Sequence, residues 1–261
     1  MIPLALQTTL RDLFARSLKD PVKIDFFTQK PLPLTIPGRE ECATCPPTGE
    51  MLADLARLHP ALRLTVHERG ADLTLEQKLS IEHVPAIVLR GVLNRPATFY
   101  GQPARYLFEP FIEGIVLMSR NESGLPRELA SRLKRLRESV RVQLFVDADS
   151  PPCTPMVQTA YALAVESKWV KVTIYAVPEY PRLAERYAIR TVPTVIFNGL
   201  STFTGLVAPN VFVDHLLKAA AARTAIPLPR GEAATPLRHP AEQGQAPTET
   251  VRPSGLIIPR G

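Results

Sequence analysis

The feature that most restricts how this chain can fold is an internal repeat. Cys42 corresponds to Ser150, Cys45 to Cys153, and the dipeptide Val84-Pro85 to Val192-Pro193, all at a single offset of 108 residues. Three landmarks in one register mark two copies of one structural unit about a domain long. The strands ahead of the first landmark align instead at an offset of 118, Val22 with Val140 and Phe27 with Phe145. The first copy therefore carries about ten extra residues just before Cys42, within the stretch 30–41 that holds Pro31, Pro33 and Pro37. A chain of 261 residues is long enough for two ordinary domains, each with its own core.

The local patterns run in the same order in both copies. In the first, Leu6, Leu10, Leu13, Phe14 and Leu18 carry the three-and-four spacing of an amphipathic helix over Leu4 to Leu18. A short β-branched and aromatic strand follows at Val22 to Thr28, then the proline-rich loop, which can be neither helix nor central strand. Helix 47–58, strand 62–67, short helix 74–81, a hairpin of 84–89 with 97–100, and helix 106–118 complete the copy. After the polar linker Ser119 to Gly124 the second copy reads helix 127–138, strand 140–147, helix 156–167, strand 170–177, helix 180–188, strands 194–197 and 202–204, and helix 211–222. Alternating strands and helices place the chain in the α/β class, with domains expected at 1–120 and 125–222. Residues 223–261, with seven prolines, four glycines and few apolar residues before Leu256-Ile257-Ile258, are expected to form a disordered, solvated tail.

Composition removes several function classes. The residues are 45% hydrophobic and 21% charged, and no apolar run approaches the roughly 18 to 20 residues of a bilayer span. A net charge of +6 is mild, and the basic residues alternate with acids, without an arginine-rich arm or an aromatic-studded basic stripe, so no nucleic-acid partner is expected. In the helix 127–138 the leucines at 129, 133 and 136 define a buried stripe, leaving its arginines and lysine as a solvated face. Met1 to Asp20 lacks the features of a secretory signal, so the expected location is cytoplasmic. There a cysteine pair is more often catalytic or metal-binding than a structural bridge.

Three cysteines cannot supply all four ligands of a tetrahedral Cys site. Cys42-Ala43-Thr44-Cys45 follows a strand and loop and precedes a helix, where backbone N–H groups and the helix dipole favour an anion. A thiolate at such a place attacks a disulfide sulfur, and a second cysteine three residues on can resolve the mixed disulfide. The alternative is half of a zinc site, although the third cysteine lies in the other copy and no nearby His pair completes a ligand set. His83, two residues before Pro85, could tune Cys42 or touch a substrate, or be an ordinary loop histidine. No Gly-rich phosphate loop, hydrolase elbow or metal-ligand helix is present.

The order strand, Cys-x-x-Cys, helix, strand, helix, Val-Pro, hairpin, helix resembles the thioredoxin fold. The tandem arrangement, with Phe99-Tyr100-Gly101-Gln102-Pro103, Ser150-Pro151-Pro152-Cys153 and Glu179-Tyr180-Pro181, resembles the glutaredoxin-like protein disulfide oxidoreductases built from two thioredoxin folds, over about residues 1 to 222. The resemblance implies two tandem thioredoxin-like domains, each a mixed central sheet flanked by helices. It implies Cys42 as attacking thiol, Cys45 as resolving thiol, and Pro85 as a cis proline that leaves the backbone of Val84 to pair with an extended substrate. It suggests Asp25 as a buried carboxylate beneath Cys45 that takes its proton; the other reading turns Asp25 to solvent. Ser150, Cys153, Val192 and Pro193 form the matching second site, in which a hydroxyl replaces the first thiol, so that site is expected to be redox-silent.

The implied activity is thiol–disulfide exchange with protein disulfide substrates, with no bound cofactor and recycling by a separate flavoprotein of the thioredoxin-reductase kind. Two rivals remain open: a non-catalytic module whose grooves hold extended peptide, with the cysteine pair as a residual or regulatory switch, and metal binding by Cys42 and Cys45 across a dimer.

Overall fold

The computed structural model describes residues 2–30 and 41–225, so the expectations for the proline-rich insertion and for the tail lie outside the described residues. The elements are α1 (Leu4–Ser17), β1 (Val22–Thr28), α2 (Cys45–Leu58), β2 (Leu62–Glu68), α3 (Leu73–Leu79), β3 (Ala86–Arg90), β4 (Ala97–Tyr100) and α4 (Phe108–Arg120). They continue as α5 (Arg127–Leu133), β5 (Val140–Val146), α6 (Cys153–Glu166), β6 (Val170–Ala176), α7 (Pro181–Arg186), β7 (Thr194–Phe197), β8 (Ser201–Thr204) and α8 (Pro209–Ala225). The expected α/β class and doubled thioredoxin-type order are present. Most element ends move by one to three residues. The larger change is α5, which stops at Leu133 instead of 138, while Leu136 stays buried beyond the helix end. Its charges are also not all solvated, since Arg132 pairs with Asp214 of α8.

All eight strands form one sheet in the order β2-β1-β3-β4-β6-β5-β7-β8. Each copy repeats one scheme: a parallel pair, β1 with β2 or β5 with β6, then two antiparallel pairings through β3 and β4 or β7 and β8. The copies join where β4 pairs in parallel with β6, Ala97 opposite Val172 through Tyr100 opposite Tyr175. Alternation of side chains along each strand then sorts the core onto two faces. Ile24, Phe26, Ile87, Leu89 and Phe99 pack beneath α1, α2 and α4, and Val142, Leu144 and Ile174 beneath α6 and α8. On the other face Phe27, Tyr100, Phe145 and Tyr175 form an aromatic layer with Ile81, next to α3, and Leu183 of α7. Among the described residues no helix is long and apolar enough to cross a membrane.

Helix α4 crosses from one copy to the other and packs on α6. A Cβ on Gly114 would lie 2.7 to 2.9 Å from the ring of Tyr161, so the close approach of these helices requires glycine. The two copies thus share a sheet and a helical layer, which fixes what the second copy can present to the cysteine pair of the first.

Candidate functional site

Cys42 and Cys45 are joined as a disulfide, with Cα atoms 5.3 Å apart. Cys45 opens α2 and is 1% exposed, whereas Cys42, half-buried, lines an open cavity of about 530 Å³. One sulfur is thus reachable by a visiting group and the other is sheltered behind it.

The anion-stabilising amides expected at this helix start are not available. Of the four residues of the first turn, Pro46 and Pro47 have no N–H. The Cys45 N–H donates to the Cys42 carbonyl at 3.2 Å and the Thr48 N–H to the Thr44 carbonyl at 3.1 Å. The helix dipole remains, but its direct donors are absent or occupied.

Val84 and Pro85 line the same cavity, as does His83, and the Val84-Pro85 bond is cis. The Pro85 carbonyl accepts the Gly101 N–H at 3.0 Å and the Tyr180 hydroxyl at 3.1 Å. Tyr180 comes from the second copy, as does Glu179 beside it; both sit where the 3-10 turn Val177–Glu179 leaves β6, flanked by Pro178 and Pro181. Burial, reinforced by the charge of Glu179, holds the Tyr180 phenol well above its usual range and keeps it a donor. Glu179 reaches farther into the first site. Its Oε1 accepts the Gln102 N–H at 2.6 Å, and its Oε2 accepts the hydroxyl of Thr44, which lies between the two cysteines. Sequence reading used Glu179-Tyr180-Pro181 as a landmark of the second copy and missed both residues as parts of the site. Only the pairing of β4 with β6 brings them there.

Asp25 stands elsewhere than beneath Cys45. Ile24 and Phe26 point toward α2, where Phe26 packs against Gly49, so Asp25 shares the opposite face with Phe27. It is buried, not turned to solvent, and its oxygens are engaged. Oδ2 accepts Arg90 Nε at 3.0 Å and a second guanidinium nitrogen, while Oδ1 lies 3.1 Å from His67 Nε2. This corrects both readings of Asp25: the carboxylate serves a buried ionic cluster on the face of β1 turned away from α2. On α2 itself, one turn after Cys45, the fully buried Thr48 hydroxyl has no hydrogen-bond partner.

The second copy builds a matching arrangement at the end of β5. The Val192-Pro193 bond is cis, the Pro193 carbonyl accepts the Gly205 N–H at 2.8 Å, and the Cys153 N–H donates to the Ser150 carbonyl at 3.0 Å. Cys153 is unpaired and fully buried, and burial pushes its thiol up despite hydrogen bonds from the Asp147 backbone and the Ser150 side chain. None of Ser150, Cys153, Val192 or Pro193 lines the cavity of the first pair. Among the described residues no three His, Cys, Asp or Glu side chains gather as a metal-ligating group.

No protein-family model matches the sequence, and no curated protein does. Solved structures do match. The chain is similar to a protein disulfide oxidoreductase from Aeropyrum pernix, with 24% identity and a TM-score of 0.74 over 84% of this chain and 94% of the other. It is similar to the NTD N/C domain of alkylhydroperoxide reductase AhpF from Enterococcus faecalis, with 17% identity and a TM-score of 0.73 over 83% of this chain and all of that one. A Sulfolobus solfataricus protein matches at 19% identity and a TM-score of 0.54 over 74% and 94% of the two chains. At these identities the likeness establishes the fold, two thioredoxin-type units in one chain.

Proposed function

We propose that this protein is a thiol–disulfide oxidoreductase in which Cys42 and Cys45 exchange a dithiol for a disulfide with protein substrates. The observation that carries the reading is the half-buried Cys42 on an open cavity, bonded to a sheltered Cys45 at the start of a helix. In the reducing direction the Cys42 thiolate attacks one sulfur of a substrate disulfide, forming a mixed disulfide and releasing the other sulfur as a thiolate that takes up a proton. Cys45 then loses its proton and attacks Cys42 Sγ, freeing the second substrate thiol. Two electrons pass from the dithiol to the substrate and the pair closes to the disulfide.

Val84 and Pro85 would form the substrate edge: their cavity also contains Cys42, and two hydrogen bonds hold the Pro85 carbonyl in place. The fold neighbours, one named a protein disulfide oxidoreductase and one a domain of an alkylhydroperoxide reductase, support redox chemistry on protein partners. A separate flavoprotein of the thioredoxin-reductase kind would return electrons to the pair, in the cytoplasm. The second unit, with Ser150 in place of a nucleophile, is redox-silent and contributes packing and cavity wall. Asp25 is left out of the chemistry because it faces away from α2.

The test is insulin reduction by the full chain. Cys42→Ser abolishes it, Cys45→Ser accumulates a mixed disulfide, and Cys153→Ser keeps most of the wild-type rate. Equal losses from Cys42→Ser and Cys153→Ser would refute a single centre, and an inert wild-type protein would leave only a binding module.

A further inference from the structure

We propose that Glu179 of the second thioredoxin unit is a positioning residue for the first centre: it anchors Thr44 and, by its charge, opposes the Cys42 thiolate, biasing the pair toward reducing substrates. The inference rests on the dithiol reading above and deepens it.

Both Glu179 oxygens act as acceptors, one from the Thr44 hydroxyl and one from the Gln102 N–H, the pattern of an ionised carboxylate. The approach is built into the backbone. Gly101 has a φ of +104°, and a Cβ there would lie 2.6 Å from Glu179 Oε1 and 2.7 Å from the Ala176 Cβ, so glycine admits the carboxylate to this spot. Glu179 and Cys42 line one cavity, and Thr44 ties the carboxylate to the segment between the two sulfurs.

Among the described residues, the charged and titratable groups on that cavity besides Cys42 are Glu41, Arg69, His83, Tyr180 and Glu179. Arg69, and His83 when protonated, favour a thiolate; Glu41 and Glu179 oppose it. Glu179 is hydrogen-bonded to the Cys42–Cys45 segment itself, through the Thr44 hydroxyl. The usual counterweight is weak, because the first turn of α2 lacks free amides and the Thr44 hydroxyl is turned to Glu179. A carboxylate on the cavity of Cys42, hydrogen-bonded two residues along the chain from it, destabilises the thiolate form of the dithiol relative to the disulfide, which makes the dithiol the better electron donor. The second unit, without a nucleophile of its own, then sets the direction of the first.

The experiment follows the Cys42 thiolate in the reduced full chain by its ultraviolet absorbance against pH, together with the equilibrium of the pair against glutathione. Glu179→Gln is expected to lower the Cys42 pKa by about one unit, roughly a tenfold gain in thiolate below both values, and to shift the glutathione equilibrium several-fold toward the dithiol. Glu179→Asp, which keeps the charge, stays nearer the wild type on both readouts. A strut without electrostatic effect would lower thermal stability in both variants and leave the pKa unmoved, and that result overturns the inference. If Glu179→Gln does not fold, Thr44→Val releases Oε2 while the Gln102 N–H still holds Oε1, loosening the carboxylate from the cysteine segment; it carries the test, with a smaller shift in the same direction, and an unmoved pKa again overturns it. A wild-type pair that does not equilibrate with glutathione removes the function itself. A wild-type pair that does, alongside an unchanged Glu179→Gln, removes only the role of Glu179.

Discussion

Asp25 shows how much depends on which way one side chain points. Its type and its place in a central strand are legible in the sequence, but a shift of one residue along a strand exchanges the faces. Because its oxygens hold Arg90 and His67, Asp25→Ala leaves a largely buried guanidinium without its partner. The expected outcome is a loss of about 3 kcal/mol in denaturant unfolding, with the exchange rate per folded molecule unchanged. A rate that falls while stability holds would return Asp25 to the chemistry. Thr48 gives the opposite expectation. Its buried hydroxyl is unpaired, so Thr48→Val keeps the shape and removes a desolvation penalty, for a gain of about 1 kcal/mol. A slower Cys45 attack in that variant would mean that the hydroxyl finds its partner in the reduced thiol.

At the scale of elements, apolar spacing and short β-branched or aromatic runs located every helix and strand among the described residues, whether an element buries one face, as β5 does in part, or is buried throughout, as β4 and β7 are. Helix ends were less legible. α5 stops at Leu133 because the chain turns there while Leu136 continues to fill the core, and the apolar spacing does not register the turn. The α4–α6 crossing was invisible to any local pattern, since Gly114 reads as a helix-weakening residue until Tyr161 is seen against it. Gly114→Ala, which raises helix propensity, is nevertheless expected to destabilise the protein by about 1 to 3 kcal/mol through overpacking, seen as a lower denaturant midpoint. A higher midpoint would show that the two helices can separate freely.

For the molecule as a whole, the consequence is the continuous sheet. β4 is buried along its length and has β6 as its outer neighbour, so cutting between the copies exposes a strand edge and the α4 face that meets Tyr161. A fragment of residues 1–123 is expected to aggregate or associate, whereas the whole chain unfolds in one transition; a monomeric, cooperatively folding fragment would contradict this. The aromatic layer spanning the junction also sets the alkaline limit. Burial holds Tyr100 up to about 12 and pushes Tyr175 and Tyr180 up as well, and it does the same to Tyr161 in the helical layer on the other face. The folded state therefore keeps protons that the unfolded chain loses above the ordinary tyrosine value of about 10. Stability is expected to be flat with respect to these groups below that pH and to fall as pH rises toward 12, with tyrosinate absorbance appearing together with unfolding. Tyrosinate forming near 10 in a still-folded protein would mean that the layer is open to water.

The sequence by itself determined the repeat, the cysteine pair at a helix start, the two Val-Pro turns and the loss of a nucleophile at Ser150, because each is written in local spacing and residue chemistry. Tertiary structure alone decided how the copies meet. β2 and β6 stand at the same repeat offset with closely similar residues, yet Val66 is 57% exposed at a sheet edge and its counterpart Ile174 is fully buried in the middle. The two strands differ in polarity at their last two residues, His67-Glu68 against Tyr175-Ala176, but Val66 and Ile174 are themselves nearly alike. Burial there is set by which strand lies alongside, and that same pairing carries Glu179 and Tyr180 to the wall of a site more than a hundred residues away in the chain.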